Sequence, residues 1–153
     1  MSKKSAGGKG ARKSAGGRCP IHTALDTVGD RWSLLVIRDL VFKGKSHYRE
    51  FLESPEKIST NILANRLEKL DNAGVITKSI DPENASRFIY ALTEKGRDLI
   101  PVLLELTAWS AKHEPQPGGT TDIIRGAPKH LLRRLRSDRD ALIAEILENL
   151  DTP

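Results

Sequence analysis

Apolar positions along the chain fall into a series of helical stripes interrupted once by a different period. Pro20 suits the first turn of a helix, and Ile21, Ala24, Leu25 and Val28 follow at helical spacing until Gly29 stops it. Asp30 then stands as the N-cap of a second helix, RWSLLVIRDLVF. It is apolar at Trp32, Leu34, Leu35, Val36, Ile37, Leu40, Val41 and Phe42, on nearly every side. A helix of that kind must be central. Lys43, Gly44 and Lys45 end it, and Ser46 is the expected cap of a short third helix from His47 to Glu53, with Tyr48, Phe51 and Leu52 inward. After Ser54 and Pro55, KISTNILANRLEKLDNAG predicts a fourth helix capped by Ser59 or Thr60. Ile62, Leu63, Leu67, Leu70 and Ala73 share its inner side, and Gly74 is its natural stop.

The period then changes. Val75 to Ile80 and Arg87 to Leu92 are β-branched or aromatic in flavour, with turn chemistry between them from Asp81 to Ser86, so a hairpin is expected. Thr93 can cap a long following helix, TEKGRDLIPVLLELTAWSAKHE, which Pro101 is placed to bend. Leu99, Val102, Leu103, Leu106 and Trp109 form one stripe on it; Ile100, Leu104, Ala108 and Ala111 form a second. Two stripes exceed what one small domain covers, so one is expected to meet a second copy of the chain. The alternative is that the C-terminal segment covers it within one chain. The organisation expected is a flexible arm over 1–18, a main domain over 19–114, a linker over 115–127 and a helical extension over 128–150. The fold class is mainly α with a small β-hairpin wing, a winged helix-turn-helix with extra C-terminal helices.

The outward face of the fourth helix is chemically informative. Asn61, Ala64, Asn65, Glu68 and Asn72 lie opposite the apolar stripe, with Arg66 and Lys69 on the flanks. Short amides beside an alanine make a smooth, hydrogen-bonding surface suited to base edges, and an asparagine can bond both N6 and N7 of adenine. A helix carrying such a face, followed at once by a two-stranded ribbon, has the order in which the helix enters a DNA groove and the ribbon reaches the backbone beside it.

Charge changes the picture less than its total suggests. The formal net charge is +5, but residues 1–18 hold Lys3, Lys4, Lys9, Arg12, Lys13 and Arg18 with no acid, which leaves the rest at −1. Nucleic-acid binding by the folded body must therefore rest on local placement of cations. The arm is either a source of sequence-independent phosphate contacts or an uninvolved extension. The LLRRLR stretch reads as a packing helix with a solvated basic face. No apolar run approaches the roughly 18 residues of a spanning helix. The basic N-terminus has no apolar stretch behind it, and there is one cysteine, so a cytoplasmic protein with no membrane partner is expected.

Catalytic signals fail one by one. Gly44-Lys45-Ser46 resembles the end of a phosphate-binding loop, but the required earlier glycine is Asp39. His22, His47, His113 and His130 are scattered without metal-ligand spacing. Glu53 with Glu56, and Asp81 with Glu83, read as ordinary surface charges. Neither an enzyme, a cofactor nor a metal site is expected.

Taken together, Cys19-Pro20-Ile21, Gly29-Asp30-Arg31-Trp32, Tyr48-Arg49-Glu50-Phe51, Ile58 to Leu63, Arg66-Leu67, Leu70, Gly74-Val75-Ile76, Tyr90 to Gly96 and Trp109 resemble HxlR-type winged helix-turn-helix transcriptional regulators in order and spacing. The likeness covers roughly Cys19 to Glu114. It implies a bacterial homodimer on pseudo-palindromic double-stranded DNA, with the first helix and the helix after the wing building the interface. On that reading Ser59, Thr60, Asn61, Asn65 and Arg66 enter the major groove. Lys69 neutralises backbone, and Lys78, Ser86 and Arg87 do so from the wing. Cys19 stands where some members sense oxidants or electrophiles through a thiolate, which Arg18 and the helix start behind it would favour. His47 replaces an arginine common in the family, and both ends of the chain lie outside the usual pattern. The rival reading is a dimeric interaction or small-ligand-binding module on the same fold without an operator.

Overall fold

In a computed structural model, residues 17–114 and 130–152 are described. The proposed linker, and all but the last two residues of the proposed arm, lie outside them. Four helices come first: α1 (Pro20–Val28), α2 (Arg31–Phe42), α3 (Tyr48–Leu52) and α4 (Thr60–Asn72). The hairpin β1 (Ile76–Asp81) and β2 (Asn84–Leu92) follows, then α5 (Glu94–Arg97), α6 (Ile100–His113), α7 (Leu131–Ser137) and α8 (Arg139–Asp151). Mainly helical, with one antiparallel pair and two further helices among the described residues, this is the winged helix-turn-helix order expected.

The central position of α2 is borne out: Val36, Ile37, Leu40, Val41 and Phe42 are all buried in one core with Phe51, Leu63, Leu67, Leu70, Val75 and Tyr90. Asp30 caps α2 through Ser33 N at 2.9 Å, as its sequence position suggested. The cap of α3 is His47 rather than Ser46. A capping box with Glu50, whose carboxylate accepts from the backbone N–H of both Ser46 and His47, sets that helix start.

Two stretches differ from expectation for definable reasons. The hairpin turn shrinks to Pro82-Glu83, because Asp81 and Asn84 form their side-chain turn bonds while still pairing with each other across the ladder. The long helix is broken, not bent. Pro101 has no N–H to offer the Arg97 carbonyl, so helix stops after Arg97 and restarts at Ile100.

The stripes on α6 also partition differently. Ile100, Leu103 and Leu104 are buried, while Val102, Leu106 and Trp109 remain exposed, as do Ile21 and Leu25 of α1. Leu131 and Leu135 of α7 and Leu142 and Ile146 of α8 are buried in the same core cluster as α6, and Arg139 reaches Glu105 at 3.4 Å. The C-terminal helices therefore cover one stripe within the chain and leave the other open.

Glu56 is not an ordinary surface charge. It grips Arg38, which also binds Asp39 through Nε at 2.8 Å, so a salt-bridge cluster lies half under the core at the end of α2. Asp81 goes further and is buried. The long separation of the partners, 18 residues for Arg38–Glu56, hid these pairs from local reading.

Candidate nucleic-acid interface

Helix α4 is held from both ends and from beneath. Ser59 is its N-cap, accepting from Ile62 N at 3.4 Å, and the Tyr48 hydroxyl donates to the Thr60 carbonyl at 2.7 Å, fastening the helix start to α3. At the far end Gly74 takes φ +68°, a left-handed conformation that glycine adopts without penalty. Val75 N then bonds the Leu70 carbonyl and Gly74 N the Asp71 carbonyl, both at 2.9 Å, in the paired arrangement that closes helices before a strand. Beneath, Leu63, Leu67 and Leu70 are essentially inaccessible, each contributing about 1.5–3 kcal/mol by burial. A Cβ at Gly96 would overlap the Val75 carbonyl oxygen, so only glycine lets α5 pack this closely on the link between α4 and β1.

What α4 presents outward is the amide face expected: Asn61, Ala64, Asn65, Glu68 and Asn72 are all exposed, with Ser59 and Thr60 at its start. Ile62 is a correction. Placed in the inner stripe by spacing, it is 38% exposed and joins the outer side of the first turn. The two flanking cations are half-buried and already engaged. Arg66 Nη1 lies 3.4 Å and Lys69 Nζ 3.7 Å from Asp30 Oδ2, and Arg66 Nε is buried with no hydrogen-bond partner among the described residues. Burial disfavours the charge on Asp30, yet the hydrogen bonds from Ser33 and the two cations outweigh it and hold the carboxyl below its ordinary range. The sequence marked Asp30 only as a cap; its pairing with residues 36 and 39 positions away carried no local signal.

The wing is anchored separately. Tyr90 N donates to the Ser46 carbonyl at 2.8 Å, and His47 pairs with Ile89 as a one-residue third strand. His47 Nε2 also lies 3.3 Å from Asp81 Oδ2 at the base of the hairpin tip. His47 thus ties the wing to α3, a role that sequence reading missed. On the wing, Lys78, Ser86 and Arg87 are all exposed. Lys78 Nζ sits 4.1 Å from the centre of the Phe88 ring, and Ser86 is bonded through its amide and hydroxyl to Asn84 Oδ1. The structure therefore leaves the amides of α4 and the wing cations open, while Arg66 and Lys69 are turned to an internal carboxylate.

Cys19 stands at the start of α1 rather than on α4 or the wing. It is exposed at the N-cap position of α1, with no side-chain capping bond, and neighbouring Arg18 pairs with Asp26 at 3.3 Å. Among the described residues there is no cluster able to hold a metal ion, and no helix is long and apolar enough to cross a membrane.

Comparison with known proteins bears on this arrangement. The transcriptional regulator YodB of Bacillus subtilis is 36% identical over 103 residues, covering 67% of this chain and 90% of YodB. A helix-turn-helix transcriptional regulator of Synechocystis is 38% identical over 88 residues; the match takes in 58% of this chain and spans 64% of that relative's length. Among solved structures, reduced YodB superposes with a TM-score of 0.53 at 32% identity, covering 65% of this chain and 98% of YodB. The redox regulator HypR in its oxidised form superposes with a TM-score of 0.54 at 26% identity, covering 63% and 98%. Helices α7 and α8 lie outside the residues that the family profile matches. Since the HxlR-like helix-turn-helix profile matches residues 27–117, more than half of the sequence, the chain belongs to that family of transcriptional regulators.

Proposed function

We propose that the chain acts as a homodimer that reads an operator in double-stranded DNA with the outer face of α4 in the major groove and the wing on the flanking backbone. The exposed row of Asn61, Asn65 and Asn72, on a helix whose opposite side is locked into the core, is the observation that carries this reading. Ser59 and Thr60 meet the duplex at the helix start. Lys78, Ser86 and Arg87 supply wing contacts, and Arg66 and Lys69 are available to phosphates once released from Asp30. The open apolar residues Val102, Leu106 and Trp109 on α6, with Ile21 and Leu25 on α1, support a two-fold partner.

Fluorescence anisotropy with labelled duplexes at 50 and 200 mM salt tests the reading. Each phosphate neutralised contributes about −0.9 to the slope of log affinity against log salt, so affinity falls steeply and Lys78→Ala flattens the slope by about one unit on every sequence. Duplex affinity that is weak and insensitive to salt would favour an interaction module instead.

The regulator responds, on this proposal, to oxidants or small electrophiles through Cys19. Its exposure, and the likeness to the redox regulator HypR, support this. Alkylating the thiol changes operator affinity by about 5- to 150-fold, the range of a typical coupling between sites, while Cys19→Ser protein is unaffected by the same treatment. Equal affinity before and after alkylation removes the sensor role.

A further inference from the structure

Asp30 occupies the point where the start of α2 meets the flank of α4. Its carboxylate accepts from Ser33 N at 2.9 Å and Ser33 Oγ at 2.6 Å, and Arg66 and Lys69 approach the second oxygen from α4 at 3.4 and 3.7 Å. The Arg66 contact is poor for a guanidinium. This side chain can grip a carboxylate or a phosphate through two parallel bonds, but here it makes one long bond to Asp30 while Nε stays buried without a hydrogen-bond partner among the described residues. A group satisfied so incompletely gains by exchanging a carboxylate whose two oxygens already accept from Ser33 for an anion with both oxygens free to meet its fork.

We infer that Asp30 is an internal stand-in for a DNA backbone phosphate: it holds Arg66 and Lys69 in the free protein, and a phosphate takes them over when duplex binds. This rests on the reading of α4 as the DNA-facing helix. Asp30 is a positioning residue in this scheme, because it acts through two cations rather than by touching DNA. Two consequences follow. Binding must break the pairs with Asp30, so every duplex is bound more weakly than the cations alone would allow. The carboxylate also stays beside the phosphate, so it cancels about one positive charge of the interface.

The two roles of Asp30 can be separated by substitution. Asparagine and serine both keep an oxygen that caps α2, so Asp30→Asn and Asp30→Ser remove the charge without removing the cap. Anisotropy titrations of the full chain are run with a random-sequence duplex and with a selected duplex. Both variants are expected to bind each duplex about fivefold tighter at 0.1 M salt, the weight of one part-exposed ion pair, with a salt slope steeper by about 0.9. In an Arg66→Gln, Lys69→Gln background the gain should vanish.

Unchanged affinity and slope in both variants, with the wild type binding duplex normally, overturn the stand-in role alone. A gain that persists without Arg66 and Lys69 also overturns it, since Asp30 would then act only through net charge. Failure of the wild type to bind any duplex in a salt-dependent way removes the DNA reading and this inference together.

Discussion

Replacing Asp39 with asparagine lowers the unfolding free energy by about 3–5 kcal/mol at neutral pH, the cost of breaking a buried ion pair by removing one partner. The size follows from what surrounds this carboxylate. Its side chain is 3% exposed, and it accepts from Arg38 Nε at 2.8 Å and Nη2 at 2.6 Å, from Lys45 Nζ at 3.1 Å and from the Ser54 hydroxyl; Lys43 lies 3.3 Å away. Arg38 is itself only 9% exposed, so loss of Asp39 leaves a buried guanidinium with Glu56 as its remaining carboxylate. An exposed ion pair is typically worth only about 0–1 kcal/mol, which is why the effect is expected here and not at the surface pairs. Burial opposes ionisation of Asp39, but the Ser54 hydrogen bond and the adjacent cations prevail and hold its carboxyl below the ordinary range.

The pH dependence has a definite sign. A depressed carboxyl contributes stability that is fully present above its unfolded value of about 3.9 and is lost as pH falls through the lower folded value. Urea unfolding should therefore show the full gap between wild type and Asp39→Asn at pH 7 and a narrower one below about pH 4. A gap under 1 kcal/mol at pH 7, or one that does not change in acid, would contradict the role of this cluster.

The second large effect concerns recognition. Asn65→Ala is expected to abolish the preference for one base in each half-site, a loss of about 1–3 kcal/mol on the preferred base and almost none on the others. Asn65 is exposed in the second turn of α4, one turn beyond Asn61, and its backbone is fixed by the buried Leu63 and Leu67 beside it. A side chain on so rigid a frame keeps its position in a groove, and a bidentate amide discriminates only when its position is fixed. Because the residue is solvated in the free protein, truncating it should not alter stability beyond about 0.5 kcal/mol. Titrating wild type and variant against duplexes that differ at single positions checks the base preference, and urea unfolding checks the stability. Equal loss on every duplex would assign Asn65 to the backbone rather than to a base.

How far the sequence could be read depended on the range of the interaction. Helices α1, α2 and α4 emerged with their caps because each is written in contiguous signals: Pro20 and Gly29, Asp30 before an apolar run, Ser59 before a stripe ending at Gly74. The amide face was legible for the same reason, since helical spacing alone decides what lies opposite Leu63, Leu67 and Leu70. Ile62 misled because a first-turn residue sits at the edge of the stripe, where 100° steps do not decide between core and solvent. The break before α6 was underestimated because the missing proline N–H was weighed as a bend in a single helix. Least legible were the electrostatics. Arg38 with Glu56, His47 with Asp81, and Arg66 with Asp30 join residues 18 to 36 positions apart, and nothing in the local pattern distinguishes them from solvated charges.

The most direct test of the account is to place a photoreactive side chain at Asn65, and at a control position on α8 such as Glu148, and to irradiate the protein bound to a selected duplex. Adducts are expected from position 65 to bases in the major groove of each half-site, and none from position 148. Adducts from position 65 that map to protein, or none at all under conditions where the duplex is bound, would contradict it.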